Sequence, residues 1–186
     1  MPLKRRLTFL GVGLIIAIAL GIGLFTQVGT KAKTGPPRAG DPVPTFSLPT
    51  LTGTGHVGVP ADGGGNGTPA ILLFFASWCG PCRTEIPDLS TVYNHQHAAH
   101  SPLTAVRVLG IDGNDPKVAA TAFAKTSAIS FPVGMDTNFD VVSGKFFFTG
   151  LPEAVFVKGD GTIAGIHYGA LSTKAFVAWQ HQLLSA

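Results

Sequence analysis

From Leu7 to Phe25 (LTFLGVGLIIAIALGIGLF) the chain is apolar but for Thr8, and no charge falls between Arg6 and Lys31. Helix over those 19 residues would be roughly 28 Å long, close to the ~30 Å hydrocarbon thickness of a bilayer. A secretory signal has a shorter apolar core and a small-x-small cleavage site. Here Thr26-Gln27-Val28-Gly29-Thr30-Lys31 follows without such a pattern. Residues 7–28 therefore read as a transmembrane anchor, with a cleaved signal as the alternative. Lys4-Arg5-Arg6 precede the span directly and orient it, so residues 1–6 form a cytoplasmic basic tip. The rest of the chain is then expected on the extracytoplasmic side of the cell membrane, or secreted if the segment is removed. Residues 29–40, mixing Thr, Lys, Gly and Pro, read as a flexible linker before a folded domain over 41–186.

Within that domain the period changes. Phe46 and Leu48 are the first alternating inward positions. Gly53 to Pro69 holds seven glycines and two prolines and reads as a long surface loop with a short strand at Val57–Val59. Ile71 to Ala76 is a six-residue apolar run, the signature of a strand covered on both faces. Thr104 to Ile111 is a second. Between them Pro81 to about His97 has helical spacing, kinked at Pro87. Pro116 opens a helix over Lys117–Ser127 with Val118, Ala122 and Phe123 on one face. Ala154–Val157 and Thr162–Ile166, joined by Lys158-Gly159-Asp160-Gly161, predict a hairpin. A last helix starts at Ser172 as N-cap and runs through Phe176, Trp179 and Leu183. Strands alternating with helices predict an α/β layer fold.

Charge adds little beyond the anchor. The net +3 of the chain equals Lys4, Arg5 and Arg6, and from Gly40 onward seven Lys and Arg face ten Asp and Glu. The high isoelectric point thus reports the N-terminal tip, and a basic nucleic-acid-binding face is excluded. Likewise the mean hydropathy of +0.34 reports the apolar segment. Two cysteines exclude a disulfide framework.

Those cysteines carry the chemistry. Cys79 and Cys82 lie in Ala76-Ser77-Trp78-Cys79-Gly80-Pro81-Cys82-Arg83, where the apolar strand ends and a helix begins. A thiol there meets unsatisfied N–H groups and the positive end of the helix dipole, which favour the thiolate. Cys79 would be the exposed attacking thiolate and Cys82 the resolving thiol one turn further in. The alternatives fit less well. A purely structural bridge closing so small a loop stabilises little. Zinc needs two more ligands, and c-type haem needs a His where Arg83 stands. His95, His97 and His100 have no acidic neighbours and read as solvated, and no metal or cofactor is expected. The Phe146-Phe147-Phe148 run reads as core, with an exposed recognition edge as the alternative.

At these residues the chain resembles the thioredoxin superfamily, specifically its membrane-anchored TlpA/ResA/DsbE-like (CcmG-like) thiol:disulfide oxidoreductases. Phe74 through Pro87 and Gly150-Leu151-Pro152-Glu153-Ala154-Val155-Phe156-Val157 carry the likeness, which spans about Gly40 to the C-terminus. It implies a thioredoxin-like fold, a central mixed β-sheet flanked by helices, preceded here by one transmembrane helix. It also implies a cis-proline at Pro152 packed opposite the cysteines, with its preceding backbone pairing to the substrate strand. For Glu85 it implies a part in thiol acidity and proton transfer to the resolving sulfur, against a plain dipole-aiding carboxylate. Glu153, with Trp78, Gly80, Pro81 and Leu151, would border the substrate groove, against an ordinary exposed side chain. The sequence departs from the family where thioredoxin has a buried acid six residues before the first cysteine. Leu73 stands there, which leaves proton handling to Glu85 or water.

The implied activity is protein-disulfide reduction on an exported substrate such as apocytochrome c, with an integral membrane protein as electron donor. The same pair could run in reverse as an oxidant or isomerase. A peroxidase would need Pro and Thr or Ser where Leu72 and Ala76 stand. A copper-binding module pairing the cysteines with His167 would want three residues between them.

Overall fold

The structure, a computed structural model, describes residues 35–186. The basic tip, the apolar segment and the first part of the linker lie outside the described residues. Among those described, no helix is long and apolar enough to cross a membrane.

The elements are β1 (Phe46–Pro49), β2 (His56–Val59), β3 (Ala70–Phe75), α1 (Cys82–Ala98), β4 (Arg107–Gly113), α2 (Lys117–Thr126), β5 (Val133–Asp136), β6 (Glu153–Val157), β7 (Ile163–Tyr168) and α3 (Thr173–Leu184). Five strands form one sheet in the order β5-β4-β3-β6-β7. β4 runs parallel to β3 and to β5, while β6 is antiparallel to β3 and to β7. β3 is central, and all six of its residues are buried. Its continuous apolar run is explained by two layers. Ile71, Leu73 and Phe75 pack with Ile86 and Leu89 of α1, Phe123 of α2 and Phe176 of α3. Leu72 and Phe74 pack on the other face against Phe46, Val57, Val142 and Phe146.

β1 and β2 pair antiparallel, and Phe46 and Leu48 point inward as their alternation predicts. Before them, Pro37 is buried and Gly40 N–H donates to Ile163 O (2.8 Å), so the chain joins the edge of β7 a few residues ahead of Asp41. The glycine-rich stretch lies less on the surface than its composition suggests. Gly63 and Gly64 are buried with φ of +143° and +65°, and a Cβ on Gly64 would stand 3.0 Å from Val157. A side chain would meet both backbone strain and the sheet.

Three elements differ from expectation. Pro102–Ala105 is a 3-10 turn capped by Ser101, so β4 starts at Arg107 rather than Thr104. α2 buries Ala120 and Phe123, whereas Val118 is 82% exposed. β5 was not foreseen, because Val133-Gly134-Met135-Asp136 is too short to show a period. Phe146 and Phe148 are core as expected, but Phe147 between them is 48% exposed. α3 is capped by Ser172, whose Oγ accepts from Ala175 N–H at 3.2 Å. It lies against the sheet through Trp179, which stacks on Phe156 with centroids 4.0 Å apart. Gln96 of α1 and Gln180 of α3 exchange two buried hydrogen bonds (2.8 and 3.0 Å), so neither amide is buried unpaired.

Candidate active site

Parallel pairing of β3 with β4 and antiparallel pairing with β6 bring three chain segments to one end of the sheet. Phe75 is opposite Asp112, and Phe74 is opposite Glu153. The loop after β3, the end of β4 and the approach to β6 therefore converge where α1 begins.

Cys79 and Cys82 are joined by a disulfide, with Cα atoms 5.3 Å apart. Cys82 is the first residue of α1, and Pro81 precedes it with φ −61°, a ring already in helical conformation. Cys82 N–H points at Cys79 Sγ, 3.2 Å away. That donor lies at the positive end of the helix, so in the dithiol form the same geometry favours a thiolate on Cys79 over one on Cys82. Cys79 is less exposed than its place in the sequence predicts. Cys79 is only 4% exposed and Cys82 fully buried, while Trp78 is 54% exposed and Gly80 and Pro81 are at the surface. Of the two sulfur-bearing residues Cys79 keeps the opening, rimmed by its neighbours.

The segment entering this turn is held at Ser77. Asp115 accepts from Ser77 N–H (2.6 Å) and Ser77 Oγ (2.8 Å), and Arg83 Nε donates to Ser77 O (2.7 Å). Every polar group of Ser77 thus has a partner, supplied by the turn after β4 and the first turn of α1. Sequence reasoning missed Asp115; the Gly113-Asn114-Asp115 turn offered no sign that it reaches 38 residues back.

Buried carboxyls are the second feature of this end. Cys82, Glu85, Ile86 and Leu89 form the inward stripe of α1, which sets Glu85 one turn below the resolving cysteine. Its Oε1 accepts from Leu171 N–H at 3.1 Å, and its Oε2 is buried without a partner. Burial drives its pKa up to about 7, moderated by the Leu171 hydrogen bond. Asp112 is 1% exposed. Burial, and then the charge of nearby Asp115, raise its pKa to about 8. It sits at the end of β4 on the same sheet face as Phe75 and α1, so an acid is present here, supplied by β4 and not by the Leu73 position of β3.

Leu151–Pro152 is a cis peptide, and Pro152 is buried one position beyond the Phe74–Glu153 pair, towards the cysteine loop. Its carbonyl accepts from Gly169 N–H at 3.0 Å. Leu151 is half-buried and touches both core layers. Glu153 departs from both expectations for it. It is 8% exposed, not a surface side chain. Strand alternation also puts it on the Phe74 and Val155 face, away from α1. Desolvation raises its pKa to about 7. His95, His97 and His100 are exposed. His167 Nε2 lies 3.1 Å from Ala170 O, and among the described residues no group of side chains is arranged to hold a metal ion.

Comparison with known proteins agrees with this architecture. A sequence model of the AhpC/TSA family matches residues 39–166. The thiol:disulfide interchange protein DsbE of Escherichia coli K12 is 26% identical, covering 97% of this chain and 93% of that protein. The thiol-disulfide oxidoreductase ResA of Bacillus subtilis is 26% identical, covering 92% and 90%. Among solved structures, a thioredoxin-family thiol:disulfide interchange protein from Chlorobium tepidum superposes with a TM-score of 0.63. It is 28% identical, covering 81% of this chain and 99% of that one.

Proposed function

The chain belongs to the AhpC/TSA family, and from that premise we propose that it is a ResA/DsbE-type thiol:disulfide oxidoreductase reducing disulfides of exported proteins. One observation carries the reading: a disulfide between cysteines three residues apart at a helix N-terminus, with a backbone N–H directed at the outer sulfur.

In the dithiol form Cys79 thiolate attacks a substrate disulfide. A mixed disulfide forms and one substrate thiolate leaves. Cys82 then attacks Cys79 Sγ, the second substrate thiolate leaves, and the protein disulfide results. Two electrons pass to the substrate, and two protons are needed for its thiols. Glu85, directly below Cys82 and half-protonated near pH 7, is suited to take the Cys82 proton as that sulfur attacks. The backbone before Pro152 offers an edge for an extended substrate segment, and Trp78, Gly80, Pro81 and Leu151 border it. A peroxidase site would need hydroxyl and proline neighbours of the cysteine, and Leu72 and Ala76 are buried apolar residues instead.

The apolar N-terminal segment would tether the domain outside the cytoplasmic membrane. Apocytochrome c is a substrate of the right kind, and an integral membrane protein would return electrons to the disulfide. Insulin-disulfide reduction tests the activity: wild type should reduce insulin, and Cys79→Ser should not. The reduction potential tests direction. A value near −270 mV, the range of thioredoxin, supports a reductant, and one near −120 mV an oxidant.

A further inference from the structure

Beside Trp78 stands a residue whose backbone is strained. Phe139, in the turn after β5, has φ +58°, a left-handed conformation that favours Gly or Asn and is costly for an aromatic side chain. Its ring meets the Trp78 indole edge-on, with centroids 6.2 Å apart. Neighbouring positions leave room for it. A Cβ on Gly113 would lie 2.9 Å from the Phe139 ring and 3.5 Å from Leu151. The turn itself is held by Asp136, whose Oδ2 accepts from Val141 and Val142 N–H (3.0 and 2.8 Å). These carboxylate bonds, with Phe139 N–H donating to Asp136 O at 3.2 Å, hold the turn, while the half-buried Phe139 ring lies at the margin of the core layer that contains Phe74.

We propose that Phe139 is a specificity-determining residue: with Trp78 and Leu151 it builds an apolar wall beside Cys79 that receives an apolar side chain flanking the cysteine of an extended polypeptide substrate. The inference rests on the oxidoreductase reading above and names the chemistry of its substrate. Continuity with the site selects this occupant. Cys79 is 4% exposed and the adjoining Trp78 54%, so a chain docked on the sulfur has the Trp78 rim beside it. Phe139, Trp78 and Leu151 bring no charge to that rim and only one hydrogen-bonding group, the Trp78 indole N–H, so an apolar neighbour of the substrate cysteine is favoured there over a polar one.

The test is single-turnover oxidation of the pre-reduced full chain by three disulfides. One is bis(hydroxyethyl) disulfide, and two are glutathione mixed disulfides of a short peptide with Leu or Ser beside its cysteine. In each case the protein dithiol is oxidised, the probe disulfide is reduced, and both probe thiols are released. Partial burial of Leu should make the Leu peptide roughly five- to tenfold faster than the Ser peptide on wild type. Phe139→Gly and Phe139→Asn both suit the left-handed backbone. Each should bring the two peptides within about twofold of each other, whatever the bis(hydroxyethyl) disulfide rate of that variant. The ratio is internal to each variant, so a general loss of stability does not mimic it. A Leu preference that survives in both variants, or is absent from wild type, overturns the proposal while leaving the oxidoreductase reading intact. Failure of wild type to reduce bis(hydroxyethyl) disulfide overturns both.

Discussion

Replacing Glu85 with Gln keeps the shape of the side chain and an acceptor for Leu171 N–H, but removes the group that resists ionisation. Burial is the larger influence on this carboxyl, and it displaces the pKa from 4.5 to about 7. Below pH 4.5 Glu85 is protonated in both folded and unfolded chains and costs nothing. As pH rises, the unfolded chain ionises first, so stability is lost progressively and the loss levels off once pH passes the folded value. A displacement of that size corresponds to about 3 kcal/mol in full, of which about 2.5 kcal/mol falls between pH 5 and pH 8. Urea unfolding of the oxidised protein at half-unit steps across that range measures it. Asp112 and Glu153 titrate upward in the same sense, but they are common to both proteins and cancel in the difference. E85Q should therefore gain on wild type by about 2.5 kcal/mol from pH 5 to pH 8. Parallel stability curves would refute the claim that Glu85 is held near neutrality by burial.

Asp115→Ala leaves Ser77 N–H and Oγ without the carboxylate that accepts from both, and should cost about 3 kcal/mol in urea unfolding at pH 7. The same variant removes the neighbouring charge that helps raise Asp112, so the Asp112 carboxyl followed by NMR should titrate at lower pH than in wild type. Gly165→Ala would put a methyl group 2.6 Å from Trp179, prising the indole off Phe156. A loss of about 2 kcal/mol and an altered tryptophan fluorescence are the expected results.

What the sequence disclosed follows from how many residues carried each signal. β3, α1 and α3 were readable because six or more positions repeat one pattern and Gly, Pro or Ser mark their ends. The cysteines were readable because their placement at the strand-to-helix junction has direct chemical consequences, and Pro152 through the family resemblance. β5 has only four residues, and it is a strand because β4 lies beside it, a long-range cause that no local period contains. The face of α2 was misread for a similar reason: Val118 is more apolar than Ala120, but packing in the core layer over Phe75 of β3 selected Ala120 and Phe123. Burial of Asp112, Glu85 and Glu153 was equally hidden, since a carboxyl's surroundings come from elements distant in sequence. Glu153 shows the limit most plainly. It is the first residue of its strand, and the pairing with Phe74 turns its side chain to the far face.

The division of labour between the two sulfurs is the claim on which the mechanism stands, and trapping tests it without intermediaries. Reduced Cys82→Ser, mixed with oxidised insulin and quenched in acid, should accumulate a disulfide-linked adduct that peptide mapping assigns to Cys79. Cys79→Ser treated alike should yield none. Equal adducts on both variants, or an adduct only through Cys82, would contradict the account.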